Sequence, residues 1–164
     1  MSSARTAVYA GTFDPITNGH KDIIERAAKV FEHVIVAVVD GGPKQTLFTV
    51  TDRVEMIRET AQTLSAKNVE VSSFQGLLVK YVEQIGAKVI VRGLRAVSDY
   101  EYEAQLAMIN RQLASDIETV YLVTSQRCSF ISASIVRELA KYGGDISSMV
   151  PKTVEERLRQ RFRT

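Results

Sequence analysis

Short valine-rich runs, separated by longer stretches of helical periodicity, leave few folds open to this chain. Residues 6–10, 34–39, 69–73, 89–91 and 119–123 each read as a buried strand, Val-rich or bounded by turn residues. Between them, Ile23, Ile24, Ala27, Ala28 and Phe31 form a helical stripe. Thr49 with Asp52 reads as a capping box opening a second helix through Leu64, and Gly86 closes a third. Strand, helix, strand in that succession requires right-handed crossovers and predicts an α/β fold on a five-stranded, doubly wound parallel sheet. Such sheets bind ligands at the carboxyl ends of their strands, so the functional loops are expected at 11–20, 40–48, 73–77, 92–99 and 124–134.

Two further helices follow from spacing. Residues 98–115 carry Tyr102, Leu106, Ile109 and Leu113 on one face, a stripe assigned to packing within the chain's own core. Val154, Leu158 and Phe162 predict a C-terminal helix at about 151–162, docked on its own domain although Arg157, Arg159, Arg161 and Arg163 surround the stripe. The 164 residues contain no repeat or low-complexity linker and are read as a single domain, 1–164. With 21 Lys and Arg against 19 Asp and Glu, the formal charge of +2 argues against a protein that coats nucleic acid. No apolar run is long enough for a membrane helix, and the single Cys128 forms no intrachain disulfide. A cytoplasmic protein is expected, with neither nucleic acid nor membrane as partner.

The stretch Tyr9-Ala10-Gly11-Thr12-Phe13-Asp14-Pro15-Ile16-Thr17-Asn18-Gly19-His20 runs from the first strand through a tight turn into a helix. Free N–H groups at a helix start, its dipole, and glycines that admit close approach make such a junction an anion site. His20 adds a donor there. Read alone, Thr17 is an N-cap and His20 a surface residue; the other loops decide between the readings. His33, the second histidine, is read as a helix end of local importance.

Arg92-Gly93-Leu94-Arg95 follows the fourth strand, putting two guanidinium groups at the ligand edge. They either hold phosphate oxygens or pair with Asp99, Glu101 or Glu103 a turn away. Lys44, after Gly41-Gly42-Pro43, is either a point charge reaching across that edge or a solvated loop lysine. Ser125-Gln126-Arg127-Cys128-Ser129-Phe130-Ile131-Ser132-Ala133-Ser134 leads into another helix, which Ser132 or Ser134 can cap while its N–H groups receive a second phosphate. Neither a Walker sequence nor Gly-x-Gly-x-x-Gly is present, which points away from common kinases and dehydrogenases.

Thr17-Asn18-Gly19-His20 resembles the signature of nucleotidyltransferases with a Rossmann-like fold. Together with Gly11-Thr12-Phe13-Asp14-Pro15, Arg92-Gly93-Leu94-Arg95, Asp99-Tyr100-Glu101-Tyr102-Glu103 and Ser129-Phe130-Ile131-Ser132, it makes the chain similar to the bacterial phosphopantetheine adenylyltransferases. The resemblance implies transfer of the adenylyl group of ATP to 4′-phosphopantetheine with Mg²⁺, releasing pyrophosphate and dephospho-coenzyme A, the penultimate step of coenzyme A synthesis. It also implies feedback by coenzyme A and a homohexamer of two trimers. By position, Thr12, Lys44, Leu78 and Arg92 would hold the acceptor substrate, and His20 would bind the α-phosphate and stabilise its transition state. Phe13, Gly93, Leu94, Arg95, Glu103 and the loop Cys128, Ser129, Phe130, Ile131, Ser132, Ala133 and Ser134 would line the ATP site. The chain departs from the family pattern at Cys128, where an aromatic residue is usual, at Ala133, where a serine is usual, and in Asp40-Gly41-Gly42.

A phosphate monoester is already an anionic nucleophile, so this chemistry calls for no serine, cysteine or general base. Two rival readings share the sheet and His20. One is a sister nucleotidyltransferase acting on nicotinamide mononucleotide or a phosphorylated polyol; the other is a nucleotide-binding regulatory module without turnover.

Overall fold

The computed structural model describes residues 6–41 and 45–163. Within them the chain runs β1 (Thr6–Gly11), α1 (Asn18–Val30), β2 (His33–Val39), α2 (Val50–Gln62), β3 (Val69–Phe74), α3 (Leu78–Gln84), β4 (Val89–Leu94), α4 (Val97–Leu113), β5 (Glu118–Val123), α5 (Ala133–Lys141) and α6 (Lys152–Phe162). The strands form one sheet in the order β3-β2-β1-β4-β5, and every pairing is parallel. The α/β architecture and doubly wound parallel sheet are therefore as the sequence predicts. After β3 the chain returns past β1 to lay down β4, so the carboxyl ends of β1 and β4 flank the point where winding changes direction.

Alternation along the strands divides the core. Ala7 and Tyr9 of β1, with Val34, Val36 and Val38 of β2, face a layer containing α1, α2, α5 and α6. Val8, Ala10, Ile35 and Ala37 face the opposite way, toward Val79 and Val82 of α3. Side chains set the helix starts. Thr49 accepts from the Asp52 N–H at 3.1 Å while Asp52 accepts from the Thr49 N–H at 3.2 Å, the expected capping box. Gly86, at φ 70, follows α3 in the left-handed region that a side chain disfavours. Val154 and Leu158 of α6 are fully buried, with Phe162 packed against the same core, so the C-terminal helix docks as expected.

Two expectations need correction. The α4 stripe does not pack into the chain's own core: Tyr102, Ile109 and Leu113 are 64, 51 and 50% exposed, and Glu103 is the helix's buried residue. Spacing identifies an apolar face but not what covers it, and none of the described elements is placed over that face. His33 does not end a helix. It opens β2, and its Nε2 lies 3.1 Å from Glu70 Oε2 on the adjoining strand.

Candidate active site

A cavity of about 470 Å³ opens at the carboxyl ends of β1 and β4. Its first wall is the turn after β1. Thr17 caps α1 by accepting from the His20 N–H at 3.3 Å, and the Thr17 N–H donates back to His20 Nδ1 at 3.0 Å. A histidine thus occupies the place a Glu or Gln takes in the usual capping box. A backbone N–H can only donate, so Nδ1 carries the lone pair and the proton of the neutral ring sits on Nε2. Burial, with Arg95 and Arg92 as further causes, lowers the His20 pKa to about 4. Near neutral pH the ring is an uncharged hydrogen-bond donor on the cavity wall.

The Phe13 ring lies edge-on to that imidazole, with centroids 5.0 Å apart. Phe13 adopts φ 48, a left-handed conformation costly for a bulky side chain and held here by its surroundings. Asp14, nearly inaccessible, accepts from the N–H groups of Leu47 at 2.7 Å and Phe48 at 2.9 Å. Arg137 of α5 donates to the Asp14 carbonyl and lies 3.7 Å from its carboxylate.

The second wall comes from β4, α4 and the loop after β5. Arg92 donates from Nε and Nη2 to the two carboxylate oxygens of Glu103, at 2.8 and 2.6 Å, and from Nη1 to the Ala10 carbonyl at 2.7 Å. Burial alone would lower the Arg92 pKa, but the hydrogen bonds and charge of Glu103 raise it above its ordinary value. Those three bonds use only part of a guanidinium's five donors. Arg95 is held more loosely, 3.3 Å from Asp99 and 3.4 Å from the Ile131 carbonyl. Gly93 matters for its lack of a side chain: a Cβ there would stand 3.1 Å from Ile23 Cγ1, so the Ile23 side chain would have to shift by a few tenths of an ångström. Ser132 rather than Ser134 caps α5, accepting from the Ile135 N–H at 3.2 Å.

The cavity therefore gathers Thr12, Phe13, His20, Arg92, Gly93, Arg95, Glu103, Ile131, Ser132, Ala133 and Ser134. Other predicted residues stand off its wall. Leu78 is at the start of α3, packed on the opposite core layer. Leu94 uses its carbonyl to accept from the Thr124 N–H at 2.9 Å. A short 3-10 turn at Gln126–Cys128 folds Cys128 into the core and leaves Ser129 and Phe130 exposed. Lys44 lies outside the described residues. Sequence reasoning overlooked Asp14, Arg53 and Arg137 as members of the site's framework. Asp14 was inside the quoted motif, whereas nothing local distinguishes Arg53 or Arg137 from surface arginines.

Among the described residues, no group of three or more His, Cys, Asp or Glu could hold a metal ion. The cavity's carboxylates are engaged: Asp14 by backbone N–H groups, Asp99 by Arg95 and Glu103 by Arg92. No helix among those residues is long and apolar enough to cross a membrane.

Residues 8–139 match the cytidylyltransferase-like family. In fold, the chain is similar to a Plasmodium falciparum nicotinic acid mononucleotide adenylyltransferase complexed with NaAD: TM-score 0.74, 14% identity, 96% of this chain and 95% of that one. Its sequence is nearer to other proteins. The phosphopantetheine adenylyltransferase of Thermodesulfovibrio yellowstonii is 53% identical over 160 residues, spanning 97% of this chain and 98% of the relative. That of Finegoldia magna is 52% identical over 155 residues, spanning 94% of each. Likeness of this extent covers both cavity walls and the segments between them, and the chain belongs to the phosphopantetheine adenylyltransferase family.

Proposed function

We propose that the chain transfers the adenylyl group of ATP to 4′-phosphopantetheine by direct attack. An oxygen of the acceptor phosphate forms a bond to the α-phosphorus, the bond to the β-phosphate bridging oxygen breaks, and pyrophosphate leaves with that electron pair. Dephospho-coenzyme A is the other product. The observation that carries this reading is His20: a neutral ring, with Nδ1 tied to the Thr17 N–H, leaves Nε2–H as a preorganised donor on the cavity wall. Such a donor stabilises charge building on the α-phosphoryl oxygens without itself changing protonation state.

The remaining N–H groups of Arg92, together with Thr12 and, by family resemblance, Lys44 and Leu78, are assigned to the acceptor. Arg95 and the N-terminus of α5 are assigned to the phosphates of ATP, and Phe13, Gly93, Leu94, Glu103 and the 128–134 loop to the rest of the nucleotide. Cys128 would act there only from beneath the loop. Mg²⁺ fits as an ion carried by the phosphates and water, since the cavity's carboxylates already have partners. Bound that way, it neutralises phosphate charge and eases the approach of two anions.

Family resemblance further assigns the reaction to the penultimate step of coenzyme A synthesis in the cytoplasm, with coenzyme A as feedback inhibitor. The resemblance also assigns a homohexamer; the exposed apolar face of α4 is a surface suited to burial against further copies, without fixing their number. Incubation with ATP, Mg²⁺ and 4′-phosphopantetheine, followed for pyrophosphate and dephospho-coenzyme A, tests the activity. Turnover with nicotinamide mononucleotide instead, or ATP binding without either product, would defeat it.

A further inference from the structure

Arg53 is a cation that the proposed chemistry does not use. It lies within α2, is 3% exposed and is absent from the cavity wall. Its side chain is spent on main-chain oxygens of three separate segments. Nη1 donates to the Thr12 carbonyl at 2.7 Å and the Val39 carbonyl at 3.1 Å; Nε donates to the Phe48 carbonyl at 3.2 Å.

These acceptors share a location. Thr12 is in the turn after β1 and lines the cavity. Val39 ends β2, and Phe48 directly precedes the Thr49 cap of α2. The Phe48 peptide is held on both sides, because its N–H donates to Asp14 as its carbonyl accepts from Arg53. Gln45 and Thr46, a few residues earlier, line the same cavity as Arg92 and Arg95. Thr12 is followed by Phe13, with its left-handed φ and its ring against His20. A planar guanidinium can fix several acceptors in one rigid arrangement, whereas an ammonium group is a compact point charge on a flexible stem. With its oxygen bound to Arg53, the Thr12 carbonyl is engaged by the protein rather than offered to an anionic substrate.

We propose that Arg53 is a positioning residue: without touching substrate, it registers the β1 turn against the 45–48 segment and so sets Thr12, on the acceptor's side of the cavity, and the seat of His20. The proposal rests on the assignment of Thr12 to 4′-phosphopantetheine. It predicts a selective loss, because Arg53 bonds to nothing in β4, α4 or the loop after β5.

Arg53→Lys and Arg53→Gln test it. In whichever variant folds, kcat should fall by about 10-fold or more and KM for 4′-phosphopantetheine should rise, whereas the calorimetric Kd for ATP should stay within about threefold. Lys should recover more activity than Gln. In the free protein, hydrogen exchange at the Leu47 and Phe48 amides should accelerate while the β4–β5 amides keep their protection. Equal losses toward both substrates, kinetics unchanged from wild type, or unaltered exchange at Leu47 and Phe48 overturns the proposal, as does failure of both variants to fold, which makes the role global. If the wild-type chain makes no dephospho-coenzyme A, the functional reading falls separately, and the exchange pattern alone decides whether Arg53 registers these segments.

Discussion

The two cavity walls are held by different means. The wall of the β1 turn and residues 45–48 is fastened through main-chain groups to two side chains removed from solvent, Asp14 and Arg53. The wall of β4 and α4 rests on side-chain ion pairs of graded exposure. Arg92 and Glu103 are 27 and 11% exposed and bidentate, while Arg95 and Asp99 are 40 and 26% exposed and looser. An exposed pair contributes roughly 1 kcal/mol or less, so Arg95 can exchange Asp99 for a phosphate at little cost. Main-chain bonds to buried partners offer no such exchange. On the proposed assignment, the first wall is thus in place before ligand arrives and the second is completed by it.

The largest effect should come where the walls meet. His20→Ala is expected to lower kcat by about 10²-fold or more, with a much smaller change in ATP affinity. His20→Glu sharpens the result: Glu can restore the reciprocal cap to Thr17 but, as a carboxylate, has no proton to donate, so its melting temperature should approach wild type while its kcat stays low. Equal rates for wild type and His20→Glu would assign His20 to capping alone. Glu103→Ala should follow, lowering kcat/KM by about 10-fold and stability by roughly 2 kcal/mol, because Arg92 would stay partly buried without its carboxylate. A thermal melt and the same rate assay check it; no loss of stability would mean that the second wall is as independent of its ion pair as the first.

The pH dependence is the next test. His20 has a folded pKa of about 4, below its ordinary value, so the unfolded chain takes up the proton first as pH falls. Its contribution to stability should be complete above about pH 6.5 and be lost as pH drops toward 4. Protonation would also set an N–H on Nδ1 against the Thr17 N–H. Imidazole NMR should therefore show His20 neutral, with the proton on Nε2, throughout pH 6 to 8; titration near 6.5 would remove the buried donor from the scheme. The smallest effect belongs to His33→Ala, remote from both walls: within about 0.5 kcal/mol of wild type in stability, with unchanged kinetics.

Much of this site was legible in the residues. Thr17 to His20 reads as a helix start because the cap is a local, sequence-adjacent device, and the strands read because parallel sheets need apolar residues on both faces. For Arg92 and Arg95 the sequence left two readings open, pairing or phosphate, and the structure has pairs that leave donors over. Arg53 was illegible, since a buried arginine on a helix has the same local pattern as a solvated one and is revealed only by distant carbonyls. The α4 stripe misled because periodicity reports a face, not its cover. At Cys128 the run of residues does not show which side chains face the cavity; the 3-10 turn carries that one inward, toward the core.

The strand order also bears on how such a chain could change its specificity. The two walls arise from consecutive, non-overlapping lengths of polypeptide: residues through β3 supply the β1 turn, His20 and Arg53, and residues from β4 onward supply Arg92, Arg95 and the cap of α5. Helix α3 lies between those lengths, and its residues beyond Leu78 have no assigned role in either wall. A recombination crossover in that later part of α3 would therefore exchange one whole wall for that of a relative and leave the other intact, in a single genetic event.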